Sequence, residues 1–134
     1  MSSHPRRREA KSRGRDPYGP YWIYGAHAVR AALGNPARKL RRVLATREAA
    51  AALPAGAMPE RAAPAAIAAL LPPGAVHQGI AALVDPLRAP PLAEALAASP
   101  GPVLVLDQVT DPRNVGAILR SAAAFGAAAV IVQD

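Results

Sequence analysis

The chain has 134 residues, and 16 Lys and Arg against 9 Asp and Glu give it a formal charge of +7. That length allows one ordinary domain or two very small ones, and a hydrophobic content of 51% excludes a wholly disordered chain. The absence of Cys excludes disulfide scaffolds, thiolate metal sites and cysteine nucleophiles, and no apolar stretch approaches the roughly 20 residues of a membrane-spanning helix.

Residues 1–20 read as a disordered basic arm, with six basic side chains, no apolar periodicity and the breakers Gly14, Pro17, Gly19 and Pro20. No apolar core follows the charge, so this is not a secretory signal. Order is expected to begin at the strand-like run Tyr21-Trp22-Ile23-Tyr24, followed by a helix from Ala26 to Leu33 that Gly34, Asn35 and Pro36 stop. Leu40 to Ala45 reads as a strand, Glu48 to Leu53 as a short Ala-rich helix, and Ala65 to Leu71 as another. Between those two helices Ala55 to Pro64 is ambiguous. Ile80 to Val84 is a strand, Asp85-Pro86 a break, and Leu92 to Ala98 a brief helix.

Ser99-Pro100-Gly101-Pro102 is the clearest linker signal. Val103 to Leu106 is a continuous apolar run, expected of a parallel strand covered on both faces. Asp111 is a plausible N-cap with Pro112 in the first helical position, opening a helix from about Arg113 to Phe125. Its apolar stripe is Val115, Ile118, Leu119 and Ala122, and Gly126 ends it before a strand at Ala128 to Val132. The alternation of strands and helices gives the fold class as α/β, with a βαβ unit at its end.

Charge is uneven along this order. Residues 1–50 hold 12 basic and 3 acidic side chains, a net of +9, whereas residues 51–134 hold 4 and 6, a net of −2. A second basic cluster (Arg38, Lys39, Arg41, Arg42 and Arg47) lies inside sequence that reads as folded, which favours a nucleic-acid partner over a solubilising tail.

Ligands of open α/β sheets bind beyond the carboxyl ends of strands. The loop after Leu106 offers Asp107, Asp111, Arg113 and Asn114 there, with Arg120 further along the helix. Asn114 and Arg120 are six apart, about 600° around a helix, so they share no stripe but can border a site that wraps the helix start. Gly116 inside the helix implies close approach of another backbone. On residue type alone, a capping Asn114 and a solvated Arg120 are favoured over functional roles. No Gly-x-Gly-x-x-Gly is present, which weakens a nucleotide-binding reading. His27 and His77 flank apolar segments and suit structural roles, and no histidine pair has metal-ligand spacing, so no metal is expected.

The segment Leu106 to Val132 resembles the first signature motif of the SpoU (TrmH-type) RNA ribose 2′-O-methyltransferases. The match includes Asp111, Pro112, Asn114 and Gly116, then Leu119-Arg120-Ser121 and Phe125-Gly126. Ile23 to Val29 resembles the opening of that family's N-terminal domain, and His77-Gln78-Gly79-Ile80 its closing strand. The resemblance is to the branch that modifies a guanosine of large-subunit ribosomal RNA. It implies an L30e-like RNA substrate-binding domain over residues 21–90, a linker over 91–101 and, over 102–134, the first βαβ unit of a knotted SPOUT methyltransferase domain.

The resemblance also implies S-adenosylmethionine as methyl donor, ribosomal RNA as partner, a homodimer and a cytoplasmic location. By motif position it assigns catalytic roles to Asn114 and Arg120. Arg38, Lys39, Arg41, Arg42 and Arg113 form the expected RNA-contacting set. The motifs of the cofactor pocket are expected C-terminal to Asp134, so the 134 residues alone are expected to be inactive. A non-enzymatic RNA-binding fragment of the L30e type is the alternative.

Overall fold

The computed structural model describes residues 19–132, so the basic arm lies almost wholly outside the described residues. The described residues divide between Leu87 and Arg88 into two compact units.

The first unit contains β1 (Tyr21–Tyr24), α1 (Ala26–Leu33), β2 (Leu40–Ala45), α2 (Arg47–Ala51), β3 (Glu60–Arg61), α3 (Pro64–Ala68) and β4 (Ile80–Val84). Its sheet has the order β1-β4-β2-β3, with β4 antiparallel to both neighbours and β2 parallel to β3. β4 is the apolar run Ile-Ala-Ala-Leu-Val and sits in the middle, where both edges are hydrogen-bonded and both faces covered. Period-two alternation sends Ile80, Ala82 and Val84 to one face, packed with Val29 of α1 and Ala45, and with Ile23, Val43 and Ala49 around them. Ala81 goes to the other face with Leu44, Ile67 of α3 and Leu71, flanked by Trp22. Alanine at 81 and 82 lets helices approach both faces of a thin sheet.

Four of these elements take the bounds read from the sequence: β1, α1, β2 and β4. α2 starts one residue earlier than read, at Arg47, because Thr46 caps it: its side-chain oxygen accepts from Ala49 N–H at 3.3 Å. α3 begins at Pro64 and ends at Ala68, shorter than the Ala65 to Leu71 reading. The ambiguous stretch holds β3, which two charged residues could not announce through hydrophobic periodicity.

The second unit contains α4 (Leu92–Ala98), β5 (Val103–Leu106), α5 (Pro112–Ala124) and β6 (Ala129–Val132). β5 and β6 pair in parallel, Val103 with Ala129 through Leu106 with Val132, and α5 connects them as the expected βαβ unit. Asp111 caps α5 as the sequence suggests, accepting from Arg113 N–H at 2.9 Å, with Pro112 in the first turn.

Two expectations for this unit need correction. β5 is not covered on both faces: Leu106 is buried and Leu104 half-buried, but Val103 and Val105 are exposed, because among the described residues helical cover reaches one face. In the apolar stripe of α5, Val115, Ile118 and Ala122 turn inward while Leu119 lies at its margin, 47% exposed. Gly101 and Pro102, from the linker-like run, dock on the turn after α5: Pro102 C=O accepts from Ala128 N–H at 2.9 Å, and Gly101 lies against the Gly126 carbonyl.

Candidate functional site

Antiparallel pairing brings three separated stretches to one end of the first sheet. Tyr21 and Leu40 both lie opposite Val84, so the starts of β1 and β2 meet the end of β4. Arg38, Lys39 and Arg41 therefore collect around Asp85, whose backbone N–H continues the ladder to Lys39 C=O at 3.0 Å. Arg38 Nη1 donates to the Tyr21 hydroxyl at 3.0 Å and to Asp85 C=O at 3.1 Å. Arg41 Nε donates to Asp85 Oδ1, and Lys39 Nζ lies 3.9 Å from Asp85 Oδ2. A bulge produces this convergence: Leu40 pairs with Val84 and Arg42 with Leu83, leaving Arg41 as the extra residue. Bulges re-aim side chains in this way.

Arg42 does not join the group. Its guanidinium makes a two-pronged pair with Glu60 of β3, Nε to Oε1 at 3.0 Å and Nη2 to Oε2 at 2.7 Å. The hydrogen bonds from Arg42 hold the Glu60 carboxyl below its ordinary value, and the same bonds, followed by the charge of Glu60, raise Arg42. Asp85 and Glu60 carry this electrostatic arrangement and were not read as site residues. Each acts through a cross-strand neighbour, so pairing and register had to be known first. Of the three aromatics at the start of the fold, Trp22 packs against the core while Tyr21 and Tyr24 are exposed at opposite ends of β1.

At the other end of the sheet the two terminal motifs of the first unit meet. Gly25 N–H donates to Ile80 C=O at 3.1 Å and Ala26 N–H to Gln78 Oε1 at 3.0 Å, so Gln78 closes the start of α1. His77 Nδ1 accepts from Gly79 N–H at 3.1 Å, a structural role as expected, whereas His27 is exposed. Among the described residues no His, Asp and Glu cluster could hold a metal ion.

In the second unit the chain leaves β5 through Asp107 and Gln108, and Gln108 takes a left-handed backbone at φ +53°. Such a conformation costs a side-chain-bearing residue about 1–2 kcal/mol and marks this loop as one fixed by its surroundings. Arg113 and Asn114 are exposed in the first turn of α5, and Arg120 is exposed further along. A Cβ on Gly116 would lie 3.7 Å from Arg120 Nη1, and among the described residues no neighbouring backbone comes that near. The expected close backbone approach is therefore replaced by the Arg120 guanidinium. Residues four apart share a helix face, and side chains lean toward the N-terminus, so Arg120 reaches back along α5 toward the turn that carries Asn114.

A groove of about 460 Å³ in this unit is lined by Ala89, Pro90, Leu92, Ala95 and the run Ala128 to Val132. The lining is apolar and carries no charged side chain to meet the amino or carboxylate group of an aminoacyl sulfonium cofactor.

A family model described as RNA 2′-O ribose methyltransferase substrate binding matches residues 22–90, and one described as the SpoU rRNA Methylase family matches residues 101–134. The chain belongs to the SpoU family of RNA 2′-O-ribose methylases. Its relatives include an "Uncharacterized tRNA/rRNA methyltransferase" of Mycobacterium avium strain 104, 54% identical over 61 residues, 42% of this chain and 20% of the relative. The human "rRNA methyltransferase 1, mitochondrial" is 52% identical over 61 residues, 42% of this chain and 17% of the relative. The Escherichia coli K12 "23S rRNA (guanosine-2'-O-)-methyltransferase RlmB" is 54% identical over 63 residues, 44% of this chain and 26% of the relative. The matches thus span about a sixth to a quarter of the length of these SpoU relatives.

Proposed function

We propose that this SpoU chain serves 2′-O-methylation of a ribose, a guanosine of 23S ribosomal RNA, with residues 21–90 binding the RNA and residues 102–134 opening the transfer domain across a 91–101 connection. The observation that carries this reading is the ordered pair of family matches, with the Asp111-Pro112-x-Asn114-x-Gly116 motif on the turn and helix after β5. The mixed sheet flanked by helices suits an L30e-like fold, and the βαβ unit suits the first crossover of a knotted SPOUT domain. A homodimer in the cytoplasm completes the proposal. Among the described residues no helix is long and apolar enough to cross a membrane.

S-adenosylmethionine would supply the methyl group. The described residues do not fit it, since the apolar groove of the second unit lacks partners for its charged ends. What these residues offer is a place for the ribose and its phosphate at the start of α5. A guanidinium is a reluctant base, so the role of Arg120 is to bind phosphate and stabilise the developing alkoxide. Asn114, exposed in the first turn of α5, orients the ribose. Arg113 beside it and Arg38, Lys39 and Arg41 in the first unit supply phosphate contacts, whereas Arg42, expected with them from the sequence, is engaged by Glu60.

A chimera tests this. The E. coli relative carrying this chain's matching stretch is expected to transfer tritiated methyl groups from S-adenosylmethionine to 23S ribosomal RNA. Arg120→Ala in that chimera is expected to lower the single-turnover rate at least a hundredfold, and Arg120→Lys to recover only part of it. Near-full transfer by the Arg120→Ala chimera would remove Arg120 from the mechanism.

A further inference from the structure

We propose that Tyr21, Arg38, Lys39 and Arg41, gathered by Asp85 at one end of the first sheet, form a subsite for an unpaired nucleotide of RNA. The proposal rests on the RNA reading above and says which part of the basic surface takes which part of the strand. Tyr21 is 43% exposed at the first position of β1, with its hydroxyl anchored by Arg38. The Arg38 guanidinium lies 6.0 Å from the Tyr21 ring centroid and is also fixed by the Asp85 carbonyl. An exposed ring whose polar end is tied down, beside a planar cation, is the kind of platform on which an unstacked base settles.

The charges beside it suit the backbone of the same nucleotide. Lys39 and Arg41 side chains are 77% and 49% exposed, and both look to one carboxylate, Asp85. Three cations around one anion leave a positive excess there. Phosphate oxygens can replace Asp85 as acceptors without moving the backbone, because the bulge already aims Arg41 toward this end. Arg42 is left out of the subsite, since both prongs of its guanidinium are taken by Glu60. An RNA duplex would meet the same charges, but its stacked bases could not use the Tyr21 ring, so an unpaired strand is the ligand the geometry favours.

Fluorescence anisotropy of the full chain with a fluorescein-labelled 12-nucleotide oligouridylate, and with a U·A RNA duplex of that length, tests this directly. Tyr21→Ala is expected to weaken oligouridylate binding at least fivefold, the low end of the loss of one stacked base, and to leave duplex binding unchanged. Tyr21→Phe keeps most of the affinity, and Tyr24→Ala, at the far end of β1, serves as the control that should match the wild type. Replacing Lys39 and Arg41 by Gln is expected to flatten the salt dependence by about 0.7 in slope for each phosphate no longer neutralised. A 5-iodouridine strand is expected to cross-link to the peptide containing Tyr21 in the wild-type chain, a readout that needs no variant to fold. If Tyr21→Ala binds oligouridylate as the wild type does, or the cross-link falls elsewhere, the subsite is wrong while the RNA reading stands. If the wild-type chain binds neither RNA, the RNA reading fails with it.

Discussion

Gly79 shows how one residue can fix a junction between elements. Its φ of +74° suits glycine, and a Cβ there would stand 2.7 Å from Thr46 Oγ1 and 3.2 Å from Thr46 Cγ2, the side chain that caps α2. Gly79→Ala is therefore expected to cost about 2 kcal/mol or more, from the left-handed backbone and a displaced cap together. Thr46→Ala alone should cost about 1 kcal/mol through loss of the cap. The double variant should cost less than the two singles added, because removing the hydroxyl also removes the obstacle. Urea unfolding of the three variants measures this, and simple additivity would show that the two side chains do not meet. Legibility at this scale followed locality. The Asp111 cap could be read because Asp, Pro and the helix are contiguous, whereas Asp85 gains its meaning from a strand some forty residues away. Gly116 was noticeable as a helix glycine, but only the structure shows that Arg120 occupies its open side.

Among the elements, strands bounded by Gly and Pro were legible end to end, and β3 was not. Two charged residues form it only because Leu44 and Ala45 present a free edge, Ala62 N–H reaches Ala45 C=O at 3.1 Å, and Arg42 holds Glu60 across the pair. Glu60 is held below its ordinary value, so its contribution is full above the unfolded-state pKa and is lost as pH falls through the lower folded-state value. The melting temperature of the wild-type chain is accordingly expected to exceed that of Glu60→Gln slightly at neutral pH. The difference should vanish once acid has protonated Glu60 in the folded protein. Both groups are solvent-exposed, so the effect is small and shrinks further in high salt. A difference that persists unchanged in strong acid would mean that Glu60 acts through packing rather than through its charge. The same substitution frees Arg42, which makes Glu60 the residue that decides whether this arginine is available to a phosphate.

Across the whole molecule, burial is lopsided. The largest fully buried side chains, Ile67, Ile80, Val29 and Val84, all belong to the first unit, while the buried hydrophobic residues of the described second unit are Leu106 and Ala122. Exchange protection tracks buried apolar contact and ladder position, so the two units should open separately. Hydrogen exchange followed by mass spectrometry is expected to show peptides over Ile80–Val84 protected longest, since β4 is paired on both sides. Peptides over Val103–Leu106 and Ala129–Val132 should exchange at least tenfold sooner, because two paired strands with Val103 and Val105 exposed hold little core between them. Equal protection in both units, lost together on adding urea, would mean that they unfold as one body. Separate opening would instead place the stable platform where the cationic sheet end lies and leave the Asn114–Arg120 segment on the softer unit.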